Sequence, residues 1–265
     1  IMMNIKYIKN KKFTIFLLIL LLIILFSSLL NIYDKRNKIE NFFYKKIYDT
    51  KYNNFDDTKW TKEILKGGYI LYFRHSFRKD GENSNGDFYN VWMYDAIELY
   101  NLKEKNLKAE ESFLSKATCL TEEGKILAKT SGQYFDLANI NYDKIISSTS
   151  CRSRQHAILA FGRVDKFYNE LVHYGPWNEE LSVFESSIKE LLLNESPNKN
   201  KNTIIVAHNG VMSEHIFDEY PFDSNFYLKQ GGFFLIKVEN GKIKLKHTFD
   251  EFYKFSSTLL KRPKN

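Results

Sequence analysis

Cysteine is scarce in this sequence: two of its 265 residues, Cys119 and Cys151. That is too few for a disulfide framework or a zinc cluster. Net charge is missing where a nucleic-acid surface would need it. Residues 1–46 hold nine Lys/Arg and two acids, 9 − 2 = +7, which is the whole formal excess of the chain. The remaining residues carry 30 basic and 30 acidic side chains. Basicity therefore gives no support for nucleic-acid binding by the folded part. There is no internal repeat and no second apolar core pattern, so one domain is expected. At 43% hydrophobic and 16% aromatic, the chain can bury a sizeable core.

Long apolar runs are absent with one exception. Residues 13–30, FTIFLLILLLIILFSSLL, contain no charge, Pro or Gly. At 1.5 Å per residue such a helix spans roughly 27 Å, close to a bilayer core. We read residues 1–12 as a short basic tail and 13–31 as a transmembrane signal anchor. A cleaved signal peptide is the alternative, but no A-x-A site follows the run. Lys residues flank it on both sides, so charge does not set orientation. A short N-terminal tail that stays in the cytoplasm would put the domain on the extracytoplasmic side of a single-pass protein. Residues 32–65 are polar and Tyr-, Asn- and Lys-rich, and read as a stalk. Residues 66–256 read as the folded domain and 257–265 as a basic tail.

Within the domain, short strand-like runs alternate with helical segments. Residues 69–73, YILYF, follow the Gly67-Gly68 turn signal and read as a buried strand. Residues 143–148 and 202–208 read as two more. Residues 232–249 read as a hairpin turning at Asn240-Gly241. Residues 121–138 and 150–161 look helical, the first with Thr121 as N-cap and two acids in its first turn. Residues 180–194 form a third helix with Leu181, Phe184, Ile188, Leu191 and Leu192 on one face. The alternation predicts an α/β three-layer sandwich, with a mostly parallel central sheet flanked by helices. The N-terminal transmembrane helix would precede it.

Three strand ends carry matching chemistry. The first delivers Arg74, His75 and Arg78. The second runs into SSTSCRSRQHA, residues 147–157, and puts Arg152 in the first turn of a helix. The third is VAHNG, residues 206–210, with His208 at its end. In a parallel sheet these ends share one rim, where α/β folds bind ligands. Alone, each piece is bland: a satisfied His, a solvated Arg, a Ser-Ser N-cap. Together, two His and several Arg suit a dianionic phosphoryl group, since guanidinium forks match its oxygens. A helix N-terminus adds N–H donors. No third ligand accompanies the His pair, so a metal is not expected.

On these residues the chain resembles the histidine phosphatase superfamily, the phosphoglycerate mutase-like fold. Arg74-His75 matches its Arg-His-Gly. LTEEG, residues 120–124, matches its Leu-Thr-x-x-Gly helix start. Residues 147–157 are similar to its Ser-Ser-x-x-x-Arg-Ala-x-x-Thr-Ala, and VAHNG to its second histidine motif. The resemblance covers roughly residues 68–250. Ser76 departs from the motif Gly, His156 from Thr and Asn209 from Gly. Arg78 fits the Arg-His-Gly-x-Arg of the acid phosphatase branch. That branch uses an Asp after its second His, a role Asn209 cannot fill; the short core looks more like the mutase-type branch.

The resemblance implies a phosphatase acting on a small phosphorylated substrate through a phosphohistidine. His75 would be the nucleophile. Arg74, Arg78, Arg152 and His208 would hold the phosphoryl oxygens, and no cofactor or metal would be needed. Glu170 stands where the mutase-type branch places its proton donor, with Glu179, Asp80 and Glu82 as rivals. The long segment 79–117 would lid the pocket. Two alternatives stay open: a mutase-type phosphotransferase, and a non-catalytic phospho-ligand-binding domain on a membrane stalk. For Cys119 and Cys151 two readings also stay open, a disulfide tying the site together or two buried thiols.

Overall fold

The computed structural model describes residues 55–78, 119–172, 180–221, 224 and 226–260. The expected tail, anchor and most of the stalk, the segment 79–118 with Asp80 and Glu82, and Glu179 lie outside them. By contacts the chain divides into Ile1–Asn54 and Phe55–Asn265, and every described residue belongs to the second unit. Among the described residues no helix is long and apolar enough to cross a membrane.

Six strands form one sheet: β1 (Ile70–Arg74), β2 (Tyr142–Ser148), β3 (Lys166–Tyr168), β4 (Asn202–Ala207), β5 (Phe233–Glu239) and β6 (Lys242–Phe249), in the order β3-β2-β4-β1-β5-β6. The first four strands are mutually parallel. β5 runs antiparallel to β1, and β6 antiparallel to β5. The hairpin between β5 and β6 turns at Asn240 and Gly241, with φ of 53° and 72°. Positive φ at both positions is what a type I′ turn needs, and Asn-Gly supplies it. β3 was not anticipated, because three residues that are mostly exposed leave no readable pattern.

Among the described residues five helices cover the sheet: α1 (Phe55–Lys66), α2 (Glu122–Leu137), α3 (Cys151–Phe161), α4 (Leu181–Asn194) and α5 (Phe252–Leu260). Side chains alternate across each strand, so each strand feeds both faces. Ile70, Tyr72, Ile146, Ile205 and Phe234 point to one face and pack with Phe184, Ile188, Leu191 and Leu192 of α4. Leu71, Phe73, Ile145, Ile204 and Phe233 point to the other. They pack with Ile64 of α1, Phe135 of α2, Phe161 of α3 and Phe255 of α5. Three layers result. Each fully buried Phe stabilises the fold by about 1.5–3 kcal/mol relative to an exposed one. Leu181, expected on the buried face of α4, is 49% exposed. It is the first residue of that helix, ahead of the turn that meets the sheet.

Residues 55–65, the end of the expected stalk, belong to α1 and lie with the sheet. Ile64 is fully buried. Asp57 meets His247 Nε2 of β6 at 2.6 Å, and Thr61 Oγ1 meets Thr258 Oγ1 of α5 at 2.7 Å. Trp60 stacks on His247. The helix ends at Gly67, φ 78°, where a Cβ would run into the Asn200–Lys201 backbone. At the other end of the chain, α5 runs to Leu260, into the expected tail.

Candidate active site

β2, β4 and β1 are neighbours and parallel, so their carboxyl ends lie side by side on one rim. Arg74 ends β1 and His75 follows it. Ser148 ends β2, and Ser150 is the N-cap of α3, two residues before Arg152. His208 follows β4. The sheet thus brings together three segments far apart in sequence. The His75 and His208 rings lie edge to face with centroids 5.1 Å apart.

His75 is 4% exposed and held from both ring nitrogens. Nδ1 lies 2.7 Å from the Ser76 carbonyl oxygen. A carbonyl only accepts, so Nδ1 carries the ring proton. Nε2 then presents its lone pair and accepts from Arg152 Nε–H at 3.2 Å. Burial pushes the His75 pKa well below its ordinary 6.5, and the Arg152 guanidinium pushes it the same way. The Ser76 carbonyl opposes the shift, while Arg74 and Arg78 add to it. The imidazole is therefore neutral near pH 7, with an unprotonated nitrogen beside a cation. Arg152 itself is 1% exposed.

The loop after His75 explains the LTEEG stretch. Thr121 N donates to Phe77 O at 3.0 Å, and Arg78 pairs with Leu120 in a short antiparallel bridge. Thr121 Oγ1 caps α2 by accepting from Gly124 N. A Cβ on Gly124 would run into the Phe77 carbonyl, so the helix start can approach this loop only with glycine there. Cys119 and Cys151 form a disulfide with Cα atoms 5.0 Å apart. It joins this loop to the first residue of α3, next to Arg152. Ser76 shows no positive φ, so the departure from glycine carries no backbone strain. Its Oγ is buried and has no hydrogen-bond partner among the described residues.

Arg74 is half-buried. Its Nη1 donates to Leu228 O at 2.6 Å and to the Tyr227 hydroxyl at 3.3 Å, with the guanidinium over the Tyr227 ring. Asn209 grips the same peptide: Nδ2 donates to Leu228 O at 2.7 Å, and Leu228 N donates to Oδ1 at 2.8 Å. The Asn in place of the motif Gly thus anchors the segment carrying Tyr227, which is 58% exposed. Tyr72 donates its hydroxyl proton to His208 O at 2.9 Å, tying β1 to the second histidine.

His208 Nε2 lies among three buried hydroxyls: Ser148 Oγ at 3.0 Å, Ser150 Oγ at 3.2 Å and Ser153 Oγ at 3.5 Å. The sequence hinted at these serines only as an N-cap pattern, because their partner is about sixty residues away. Arg154 was also missed; it is buried and donates to Thr149 O behind the same turn. His156 lies in the core beneath α3, where burial pulls its pKa down to about 3. Its Nε2 lies 3.5 Å from Ser131 Oγ.

Glu170 falls on the short 3-10 turn Asn169–Leu171 that leaves β3 at the same rim, with its side chain exposed. The sheet order puts two strands, β2 and β4, between β3 and β1. Of the residues expected at the site, Arg74, His75 and His208 lie at the ends of β1 and β4, Arg152 on the first turn of the helix that follows β2, and Arg78 in the loop after His75; Glu170 lies on the turn after β3, the strand next to β2.

No model of a protein family matches the sequence, and no curated protein matches it. Solved structures similar to the chain include the protein histidine phosphatase SixA complexed with tungstate, at 9% identity and TM-score 0.43. A phosphoserine phosphatase from Entamoeba histolytica in complex with 3-phosphoglyceric acid is similar at 15% identity and TM-score 0.40. An alpha-ribazole phosphatase from Shigella flexneri is similar at 13% identity and TM-score 0.36. Each of these matches covers 68% of this chain and 96% of the other.

Proposed function

We propose that the domain hydrolyses a phosphomonoester through a phosphohistidine at His75, and that residues 13–31 anchor it in a membrane with the domain on the extracytoplasmic side. The carrying observation is the pairing of His75 Nε2 with Arg152 Nε at 3.2 Å, with Nδ1 held by Ser76 O. A neutral imidazole with a fixed tautomer is a ready nucleophile. The adjacent guanidinium is aimed where phosphoryl charge gathers in the transition state.

In this reading Nε2 attacks phosphorus, an N–P bond forms and the ester P–O bond breaks. Arg152, Arg74 and Arg78 hold the equatorial oxygens, and His208 stands across from His75 with its Nε2 among the serines. The leaving oxygen takes its proton from Glu170. Water activated by the resulting carboxylate then attacks phosphorus, releases phosphate and restores His75. β3 lies about 14 Å from β1 at ordinary strand spacing. Donation from Glu170 suits a leaving group that extends toward β3. The exposed setting of Glu170 also favours a second reading, a non-catalytic phospho-ligand-binding domain on a membrane stalk.

The test is hydrolysis of an aryl phosphate by the full chain, with acid-labile phosphoenzyme trapped during turnover. His75→Ala should abolish both signals; hydrolysis that survives in this variant rejects the phosphohistidine route. Phosphate binding without turnover supports the binding domain, and phosphate returned to an acceptor position of the substrate identifies a mutase. Digestion of the domain by a membrane-impermeant protease in intact cells tests the anchored orientation.

A further inference from the structure

We infer that Ser148, Ser150 and Ser153 are positioning residues for His208: their hydroxyls hold its Nε2, and so fix the orientation and tautomer of the ring that faces His75. All three serines are buried, and all three oxygens lie within 3.5 Å of one nitrogen. They also form a chain. Ser148 Oγ donates to Ser150 Oγ at 3.3 Å, and Ser150 Oγ donates to Ser153 Oγ at 3.4 Å. Ser150 N donates to Ser148 Oγ at 3.4 Å.

Each hydroxyl has one proton to give. Ser148 and Ser150 give theirs along the chain, so toward His208 they are acceptors. The closest contact, Ser148 Oγ at 3.0 Å, therefore takes a proton from Nε2. His208 is held as the Nε2–H form, opposite to His75, whose proton sits on Nδ1. The two rings thus face each other with different nitrogens protonated. The sequence also sets this cluster apart. Ser153 stands where the resembled motif has Ala, and Ser150 where it specifies no residue. Ser150 is not spent on the helix start: as N-cap it makes no side-chain capping bond, and its hydroxyl turns to Ser153 and His208.

The kinetic half of this inference rests on the phosphatase reading; the tautomer half does not. The test uses the full chain labelled with 15N-histidine, the His208 signals being assigned by their loss in His208→Gln. The wild type should show His208 protonated at Nε2 alone near neutral pH. Ser148→Ala and Ser148→Ala/Ser153→Ala should shift the signals toward a mixture of tautomers. In the same variants kcat should fall about tenfold, the scale of one ordinary intramolecular hydrogen bond, with KM changing less than twofold. Ser148→Thr, which keeps the hydroxyl, should restore both. Variants that keep the wild-type His208 signals overturn the inference, as does a wild type protonated at Nδ1. A wild type with no phosphatase turnover defeats the phosphatase reading alone, because the 15N signals still decide the positioning.

Discussion

Arg152 Nε and His75 Nε2 meet at 3.2 Å across a separation of 77 residues. The contact joins the first turn of α3 to the end of β1 and sets a cation against the imidazole; in the phosphatase reading it also orients the nucleophile. Arg152→Ala should lower kcat about 10²–10³-fold, the usual cost of losing one preorganised donor at a developing charge. Arg152→Lys should recover little, because an ammonium cannot reproduce the guanidinium fork. The variant also removes a charge that depresses the His75 pKa. The acid limb of kcat/KM, measured against pH, should therefore move upward.

The disulfide makes a second prediction. Cys119 and Cys151 are 32 residues apart, and closing a loop of that size stabilises a fold by about 3–4 kcal/mol in the chain-entropy account. The Cys119→Ser/Cys151→Ser double variant should lose that much in urea unfolding. Reduction by a dithiol should also slow turnover before the domain unfolds, since the bond holds the start of α3 next to Arg152.

Acid should destabilise the fold through its buried histidines. His156 has a folded pKa of about 3 against an ordinary 6.5, set by burial. The unfolded chain therefore binds a proton that the folded chain refuses. The stability from keeping His156 neutral is full above 6.5 and is lost as pH falls from 6.5 toward 3. The slope is about 1.4 kcal/mol per pH unit for each such group. His156→Gln should flatten the stability curve in that window, as measured by chemical unfolding at several pH values.

Two glycines separate stability from chemistry. A Cβ on Gly132 of α2 would meet the Ala160 carbonyl of α3, and one on Gly124 the Phe77 carbonyl. Both Ala variants should lower the melting temperature. Only Gly124→Ala should also cut kcat in the folded fraction, because Phe77 lies two residues after His75.

Much of this arrangement is readable from the chain. Buried parallel strands leave short apolar runs, and the residues closing them, Arg74 and His75, are conspicuous by contrast. Thr121 with two following acids announces the start of α2, and Asn240-Gly241 the hairpin. Other features depend on tertiary context. Helix α1 has weak periodicity and is held by partners such as His247 and Thr258, about 190 residues away. β3 owes its existence to pairing with β2. The serines around His208 read as a helix cap until the fold delivers the imidazole. The order of the strands, which sets β2 and β4 between β3 and β1, is not encoded in any local pattern.

A single carbonyl, that of Leu228, accepts from both Arg74 and Asn209. One of these residues precedes His75 and the other follows His208. The rim that bears Tyr227 is therefore riveted to the ends of both β1 and β4 by one peptide group. In the phosphatase reading, a bulky substrate that displaced this rim would pull on both histidines together.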